Sequence, residues 1–294
     1  MRHDADRGDY FLTIQFMREG EPKIYLWPNL MTAGNLFCGF TAILRIIEGA
    51  LLQVNDPVAP VPFLYYHQAI LLILGACVFD VLDGRMARMS GSESPFGREF
   101  DSLADIVSFG VAPALLVYRI VLKDWNSGWI IASVYLVCGA LRLARFNCIA
   151  ASKEKGGDVD KDFSGIPIPA AAGVTASITL FMLGLQENDK VIGPWRFALP
   201  PLLLFLSWMM FSHFKYPSFK AVNWRTQKSL PRLLLMIVII LLTILYYRWM
   251  PAILFISYLL YGFFRPFVSK RLRKEIEEDD DEDEEVLPEE SAKS

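Results

Sequence analysis

The chain has 294 residues, of which 53% are hydrophobic, and its mean hydropathy is +0.33. Its formal net charge is −3, but the run 275–290 holds 12 of the 32 acidic residues, so the rest of the chain is net positive. This hydropathy is high for a water-soluble globular protein. In addition, several apolar runs approach the roughly 20 residues that cross a bilayer as a helix. We therefore predict an all-α polytopic membrane protein.

Eight membrane spans are predicted between an N-terminal juxtamembrane arm, residues 1–27, and a C-terminal tail, residues 269–294. In chain order the spans are Leu30–Ile47, Gln68–Met86, Ser102–Leu122, Trp129–Ile149, Ile168–Leu185, Phe197–Phe211, Leu233–Tyr247 and Ala252–Phe264. Arg248 and Pro251 mark either a loop or a kink between the last two spans. The transmembrane domain is thus expected over residues 28–268, and the acidic tail is expected to be solvated.

The distribution of lysine and arginine predicts the orientation of these spans. Basic residues collect in the even-numbered loops, including Arg88 and Arg98 in the second, whereas the first loop, Gln53–His67, has none. The positive-inside rule then places both termini and the even-numbered loops in the cytoplasm. The basic run Lys270–Lys274 follows the last span directly and suits an anionic lipid surface.

The second loop and its flanking helices carry four aspartates. At about 100° per residue, two helical faces result. The face continuing from span two carries Asp80, Asp83, Gly84, Ala87 and Arg88, and the face entering span three carries Gly97, Asp101 and Asp105. The segment MSGSESPF, residues 89–96, is rich in helix breakers and predicts a turn, so the two acidic faces can meet across a hairpin.

Carboxylates that face one another at membrane depth repel strongly unless cations lie between them. A hard divalent cation with oxygen ligands is the economical solution, and two ions suit four carboxylates better than one. Alternatively, the aspartates pair with arginines such as Arg85 and Arg98, or they form an ion pathway. The small residues Gly84 and Ala87 permit close approach of a ligand, close packing of helices, or both.

The pattern Asp80-x2-Asp83-Gly84-x2-Ala87-Arg88-x8-Gly97-x3-Asp101-x3-Asp105 resembles, without a departure, the signature of the CDP-alcohol phosphatidyltransferases. It fixes eight residue types over 26 positions. The resemblance implies a six-helix core, here with about two extra C-terminal transmembrane helices. It also implies a cytidine-diphosphate lipid as donor, two bound divalent ions (Mg²⁺ or Mn²⁺), and displacement of CMP by an alcohol.

The resemblance assigns roles to individual residues. It implies that Asp80, Asp83 and Asp101 are metal ligands, and that Asp105 both contacts metal and takes the proton from the acceptor hydroxyl. The residues expected to bind the CDP-lipid are Asn29, Thr32, Gly84, Ala87, Arg88, Ser94 and Gly97. This division agrees with general chemistry, because phosphoryl transfer needs the diphosphate charge neutralised and a hydroxyl is a poor nucleophile until it is deprotonated.

Three further segments are similar to those of membrane-integral phosphatidylserine synthases. They are WPNLMTAGNLFCGF (27–40), GALRLARFN (139–147) and FSGIPIPAAAG (163–173). This likeness, which runs from about residue 25 to about 175, implies CDP-diacylglycerol as donor and L-serine as acceptor. The family also makes a homodimer an expectation, and no nucleic-acid partner is expected.

A serine acceptor needs a cation for its carboxylate. Arg142 and Arg145, spaced i, i+3 at the cytoplasmic end of span four, are the candidates. The alternative is that both side chains only extend to the membrane interface, as long basic side chains commonly do.

Other functions remain open at this level. The same chemistry could use glycerol 3-phosphate or an inositol phosphate as acceptor, or an archaeal ether lipid as donor. An intramembrane prenyltransferase would have two acidic clusters far apart along the chain, whereas here all four aspartates fall in one hairpin. An ion transporter that uses the aspartates as its pathway would more often show an inverted repeat, and the motif has no second copy.

Overall fold

The computed structural model of the protein describes residues 26–55, 63–89, 94–154, 165–185, 194–212, 241–243 and 245–264. Within these ranges the chain is helical and forms no strand. The α-helices are α1 Leu26–Asn55, α2 Phe63–Met89, α3 Pro95–Asp105, α4 Ala112–Ile120, α5 Gly128–Glu154, α6 Ile168–Leu185, α7 Leu199–Phe211 and α8 Met250–Phe264. A π-helical turn, Ile106–Val111, joins α3 to α4, and 3-10 turns lie at Leu122–Asp124 and Pro194–Ala198.

Four of the described helical segments are long and apolar enough to cross a bilayer. They are Trp27–Val54, Pro95–Ile120, Gly128–Ser152 and Ile168–Leu185, and Met250–Phe264 is a shorter apolar helix. The prediction of an all-α polytopic membrane protein is therefore confirmed.

The other predicted spans correspond to the structure to different degrees. Helix α2 covers the second predicted span, and α7 covers the sixth after a 3-10 turn. Most of the predicted span Leu233–Tyr247 lies outside the described residues, as do residues 1–25, the centre of the hairpin turn at 90–93, and the tail. Arg248 lies in a turn at Tyr246–Trp249, and Pro251 lies in the first turn of α8, which begins at Met250. Backbone hydrogen bonds four residues apart, such as Met250 N–H to the Tyr246 carbonyl, continue through this turn.

The start of α3 is fixed by two neighbouring residues. Pro95 occupies the first turn, where a missing backbone N–H costs nothing. The Ser94 hydroxyl accepts a hydrogen bond from the Gly97 amide at 3.0 Å, which satisfies one of the donors left free at a helix start. The helix that carries Asp101 and Asp105 is therefore anchored one turn before the first of them.

The π-helical turn follows Asp105 directly. Here the Ala112 amide donates to the Val107 carbonyl, five residues back instead of four. Pro113 has no N–H to offer the Phe109 carbonyl, and its ring would crowd that carbonyl in a regular helix. The Tyr135 hydroxyl of α5 donates to the Phe109 carbonyl at 3.2 Å instead. The wider turn thus relieves the proline, and α5 satisfies the carbonyl in an environment without water.

Helix α1 packs along α2 and against α3, the π-helical turn and α4. Gly39 permits a close approach to the π-helical turn, because a Cβ atom there would lie only 2.5 Å from the Cα of Ser108. Helix α6 is largely buried and contacts α2, α7 and α8, whereas much of the α5 surface is exposed. The largest fully buried side chains include Tyr66, Ile70, Ile73, Leu116, Ile168, Leu180 and Leu199.

Candidate active site

Three of the four signature aspartates converge. Asp80 of α2 and Asp101 and Asp105 of α3 each place a carboxylate oxygen within 4.8 Å of the other two. The i, i+4 spacing puts the two α3 residues on one face, and that face meets the α2 residue. Asp105 is buried, at 5% exposure, and the other two carboxylates are partly buried.

Asp83 lies one helical turn beyond Asp80 and is also buried, at 5% exposure. The charges of Asp80 and Asp101 lie near it, and the Thr32 side chain and the Gly84 backbone lie beside it. It does not belong to the set of three oxygens that lie closest together. The structure therefore places Asp83 at the edge of the acidic cluster, against α1.

The donor atoms of this cluster suit a hard divalent cation. All are carboxylate oxygens, the ligands that Mg²⁺ and Mn²⁺ prefer. Asp83 Oδ2 and Asp101 Oδ1 are buried and have no hydrogen-bond partner in the described part of the chain. Buried charged oxygens without partners are costly, and a bound cation would compensate them. The residues present thus fit a metal site.

Asp105 receives a hydrogen bond from an element that the signature does not include. The Asn35 Nδ2 of α1 donates to Asp105 Oδ1 at 3.0 Å, and both side chains are buried. The Ser108 hydroxyl, in the π-helical turn, donates to the Asn35 backbone carbonyl at 3.0 Å. Asn35 of α1 is therefore hydrogen-bonded to this span both at Asp105 and about one turn further along, at Ser108.

Several residues predicted to bind the CDP-lipid gather beside Asp83 and the start of α3. Thr32 is buried and its hydroxyl donates to the Pro28 carbonyl at 3.2 Å. Asn29 lies over Gly97, since a Cβ on that glycine would lie 3.4 Å from Asn29 Oδ1. The Asn29 Nδ2 is buried and has no hydrogen-bond partner among the described residues, so this donor is available to a ligand.

The remaining predicted donor-binding residues lie close by in the chain. Ser94 is buried at 8% exposure and caps α3 with its hydroxyl, so it already has a structural role. Gly84 is partly buried and follows Asp83 in α2. Ala87 and Arg88 lie in the last turn of α2, and their side chains are outside the described part of the structure.

The structure distinguishes the two arginines predicted for the acceptor. The Arg142 guanidinium interacts electrostatically with Asp105 and with Tyr258 of α8, and its Nε is buried and without a hydrogen-bond partner in the described chain. Arg145 is exposed. Arg142 is therefore the partly buried arginine of the pair, with its charge near that of Asp105, whereas Arg145 lies on the exposed side of α5.

Sequence reasoning did not single out Asn35, Asn147 or Tyr258. Asn147 of α5 donates to the Ser102 hydroxyl at 2.9 Å and so contacts the turn that carries Asp101. Asn35 lies in segment 27–40 and Asn147 in segment 139–147. The similarity of these segments to known enzymes was the signal that could have identified both residues. Tyr258 had no such signal, because it lies in an apolar helix far along the chain.

The fold and the site together define a class: an integral membrane protein whose helices hold a buried carboxylate cluster suited to divalent cations. A family model described as CDP-alcohol phosphatidyltransferase matches residues 25–211. The chain belongs to the CDP-alcohol phosphatidyltransferase family and is a transferase. The family assignment made from the aspartate signature is thereby confirmed.

Curated relatives agree with this assignment. The CDP-diacylglycerol–serine O-phosphatidyltransferase of Helicobacter pylori is 33% identical over 245 residues, which cover 82% of this chain and 91% of the relative. The enzyme of the same name from Bacillus subtilis is 35% identical, over 66% of this chain and 90% of its own. An archaetidylserine synthase of Methanothermobacter thermautotrophicus is 36% identical, over 52% of this chain and 57% of its own.

Proposed function

We propose that this protein transfers the phosphatidyl group from CDP-diacylglycerol to the hydroxyl of L-serine, giving phosphatidylserine and CMP. The meeting of Asp80, Asp101 and Asp105 at the junction of α2 and α3 carries the reaction class. Serine as acceptor is supported by relatives named for that reaction, one of which is matched over 91% of its length.

The carboxylates of Asp80, Asp83, Asp101 and Asp105 would hold two divalent ions, Mg²⁺ or Mn²⁺. When bound, these ions neutralise the diphosphate and stabilise CMP as leaving group. Asn29, Thr32, Gly84, Ala87, Arg88, Ser94 and Gly97 would form the binding surface for the CDP-lipid. The acyl chains of the donor would stay in the bilayer beside the helices.

In the transfer itself, Asp105 takes the proton of the serine hydroxyl as that oxygen attacks the phosphorus bonded to the diacylglycerol oxygen. A new oxygen–phosphorus bond forms, and the bond from that phosphorus to the bridging oxygen breaks, so CMP departs with the electron pair. Arg142, whose positive charge lies near Asp105, would bind the serine carboxylate. Arg145, being exposed, would have no part in the step.

A labelled-acceptor panel tests the function. Purified protein in detergent is given CDP-diacylglycerol, Mg²⁺ and one labelled alcohol at a time: serine, glycerol 3-phosphate or an inositol phosphate. We expect label to reach the lipid phase from serine and from neither phosphorylated alcohol. Arg142→Ala should raise the serine KM by about 10- to 100-fold, the loss of one charged hydrogen bond, with the donor KM little changed. Transfer to another alcohol in preference to serine would overturn the proposal.

Arg145→Ala is the matched control for this panel. It removes the same side chain three residues along α5, from an exposed position, and should leave both KM values near wild type. An equal rise of the serine KM in both variants would show that Arg142 has no special role in binding the serine carboxylate. An ether-lipid analogue of the donor belongs in the same panel, since one relative is an archaetidylserine synthase.

The site is proposed to face the cytoplasm, with both termini on the same side. The basic residues of the even-numbered loops support this orientation. A cysteine introduced at Ser92, in the hairpin turn, should react with a membrane-impermeant thiol reagent only after cells are opened. Labelling in intact cells would reverse the orientation and separate the site from cytoplasmic serine.

A further inference from the structure

Only the nitrogen of the Asn35 side-chain amide makes a hydrogen bond within the described residues. Its Nδ2 donates to Asp105 Oδ1 at 3.0 Å, and the residue is fully buried, with 0% exposure. Its Oδ1 is also buried and has no hydrogen-bond partner in the part of the chain that the structure describes. A buried acceptor without a partner is costly, so this oxygen is suited to a ligand that brings a donor.

The position of this oxygen restricts what the ligand can be. The reacting hydroxyl of the acceptor must lie beside Asp105 for its proton to be taken. Asn35 Oδ1 and Nδ2 belong to one planar amide, so the free oxygen lies next to the atom that holds Asp105. On an acceptor whose hydroxyl lies at Asp105, the group best placed to reach this oxygen is one within a bond or two of the reacting CH₂OH group.

We propose that Asn35 is a specificity residue that accepts a hydrogen bond from the ammonium group of the acceptor, next to the hydroxyl that Asp105 activates. This inference rests on the proposed function and deepens it. A β-hydroxy ammonium compound such as serine places its NH₃⁺ on the carbon adjacent to CH₂OH. Glycerol 3-phosphate and inositol phosphates have no cation there. The site then recognises serine at three points, with Asp105 at the hydroxyl, Asn35 at the ammonium and Arg142 at the carboxylate.

The backbone around Asn35 holds the amide in place. The Ser108 hydroxyl donates to the Asn35 carbonyl at 3.0 Å, and the absence of a side chain at Gly39 lets α1 approach the π-helical turn. With this backbone held and Nδ2 bonded to Asp105, the position of Oδ1 in the same planar amide is set as well. Asn35 also positions Asp105, so its replacement has two effects, and the experiment must separate them.

The probe is 3-hydroxypropanoate, which is serine without its ammonium group. kcat/KM is measured for serine and for 3-hydroxypropanoate in the wild type, Asn35→Leu and Asn35→Ala. Any loss of Asp105 positioning lowers both values and cancels in their ratio. We expect the preference for serine to fall by about 10- to 100-fold in both variants, as for one lost hydrogen bond to a charged group. If turnover of 3-hydroxypropanoate is below detection, its inhibition constant against serine gives the same comparison.

Two controls bound the result. Cys38→Ala changes a buried residue one turn along α1 and should leave the ratio unchanged. Arg142→Ala should lower kcat/KM for both acceptors and leave the ratio unchanged, because both carry the carboxylate. CDP-diacylglycerol binding, measured for every variant, shows that the protein is folded.

The outcomes separate the two proposals. A wild type that uses serine, with Asn35 variants that lose activity equally on both acceptors, would make Asn35 a positioning residue only and overturn the inference. A wild type that does not use serine would overturn the proposed function itself.

Discussion

Replacing Asp80, Asp83 or Asp101 by Asn is expected to reduce transfer to below about one-thousandth of wild type. Each change removes one charge from the cluster and keeps the shape of the side chain. Phosphoryl transfer depends almost entirely on positioning and on neutralising the diphosphate, so the loss of a metal ligand should lower the transfer rate strongly. The measurement is transfer of labelled serine to lipid with Mg²⁺ or Mn²⁺ present and again in excess chelator.

The same variants have an expected effect on stability. A cation that binds only the folded protein raises its melting temperature, so Mg²⁺ should raise the Tm of the wild type and have little effect on the three variants. In chelator the variants should be no less stable than wild type, because each removes a negative charge that its neighbours repel. Asp124→Asn, an exposed aspartate after α4, is the control and should change neither activity nor the Mg²⁺ response. Near-normal activity of any of the three cluster variants in excess chelator would rule out the two-metal site.

Asp105→Asn is expected to separate donor binding from transfer. Three carboxylates remain for the metal, and the replacement amide can still accept the hydrogen bond from Asn35. The variant should therefore bind CDP-diacylglycerol with Mg²⁺ nearly as well as wild type. Transfer to serine should fall by about 10²- to 10⁴-fold, the usual cost of a missing general base. Titration of donor binding alongside single-turnover transfer measures the two effects independently.

Asp83→Asn provides the comparison for this variant. It lies at the edge of the cluster beside Thr32 and the predicted donor-binding residues, and its loss should weaken donor binding. If Asp105→Asn loses donor binding as completely as Asp83→Asn, then Asp105 is a metal ligand first and another group takes the proton.

The acidic cluster was predictable from the sequence for a simple physical reason. Helical spacing alone places Asp101 and Asp105 on one face, and the helix breakers between residues 89 and 96 require a tight return of the chain. These two local rules suffice to bring α2 and α3 together at Asp80. The apolar spans were predictable in the same way, because bilayer thickness sets their length.

The π-helical turn was not predicted, although one residue signalled an irregularity. Pro113 lies inside an apolar span that otherwise reads as a regular helix, and proline removes a hydrogen bond there. A hydropathy profile does not register the lost hydrogen bond, because the apolar run continues unbroken through Pro113. Whether a helix kinks, breaks or widens at a proline depends on what its neighbours donate, and here Tyr135 of α5 supplies the donor.

The partners of Asp105 and of Arg142 were also beyond the reach of local rules. Asn35 lies 70 residues away along the chain, and Tyr258 lies more than 100 residues beyond Arg142. The i, i+3 spacing of Arg142 and Arg145 predicts neighbouring positions on one side of α5. It does not determine which of them faces the cluster, because that depends on the rotation of α5 against the other helices.

The wide turn at Ile106–Val111 also fixes the rotation of the second half of this span, Ala112–Ile120, relative to the half that carries Asp101 and Asp105. Each residue added to or removed from a helix rotates everything beyond it by about 100°. Deleting one residue to restore a regular turn would leave the span apolar and long enough for a bilayer. It would nevertheless rotate the Ala112–Ile120 half away from its packing partners, or rotate Asp101 and Asp105 away from Asp80. Insertions and deletions are therefore far more damaging in this segment than exchanges of one apolar residue for another, although hydropathy treats both as neutral.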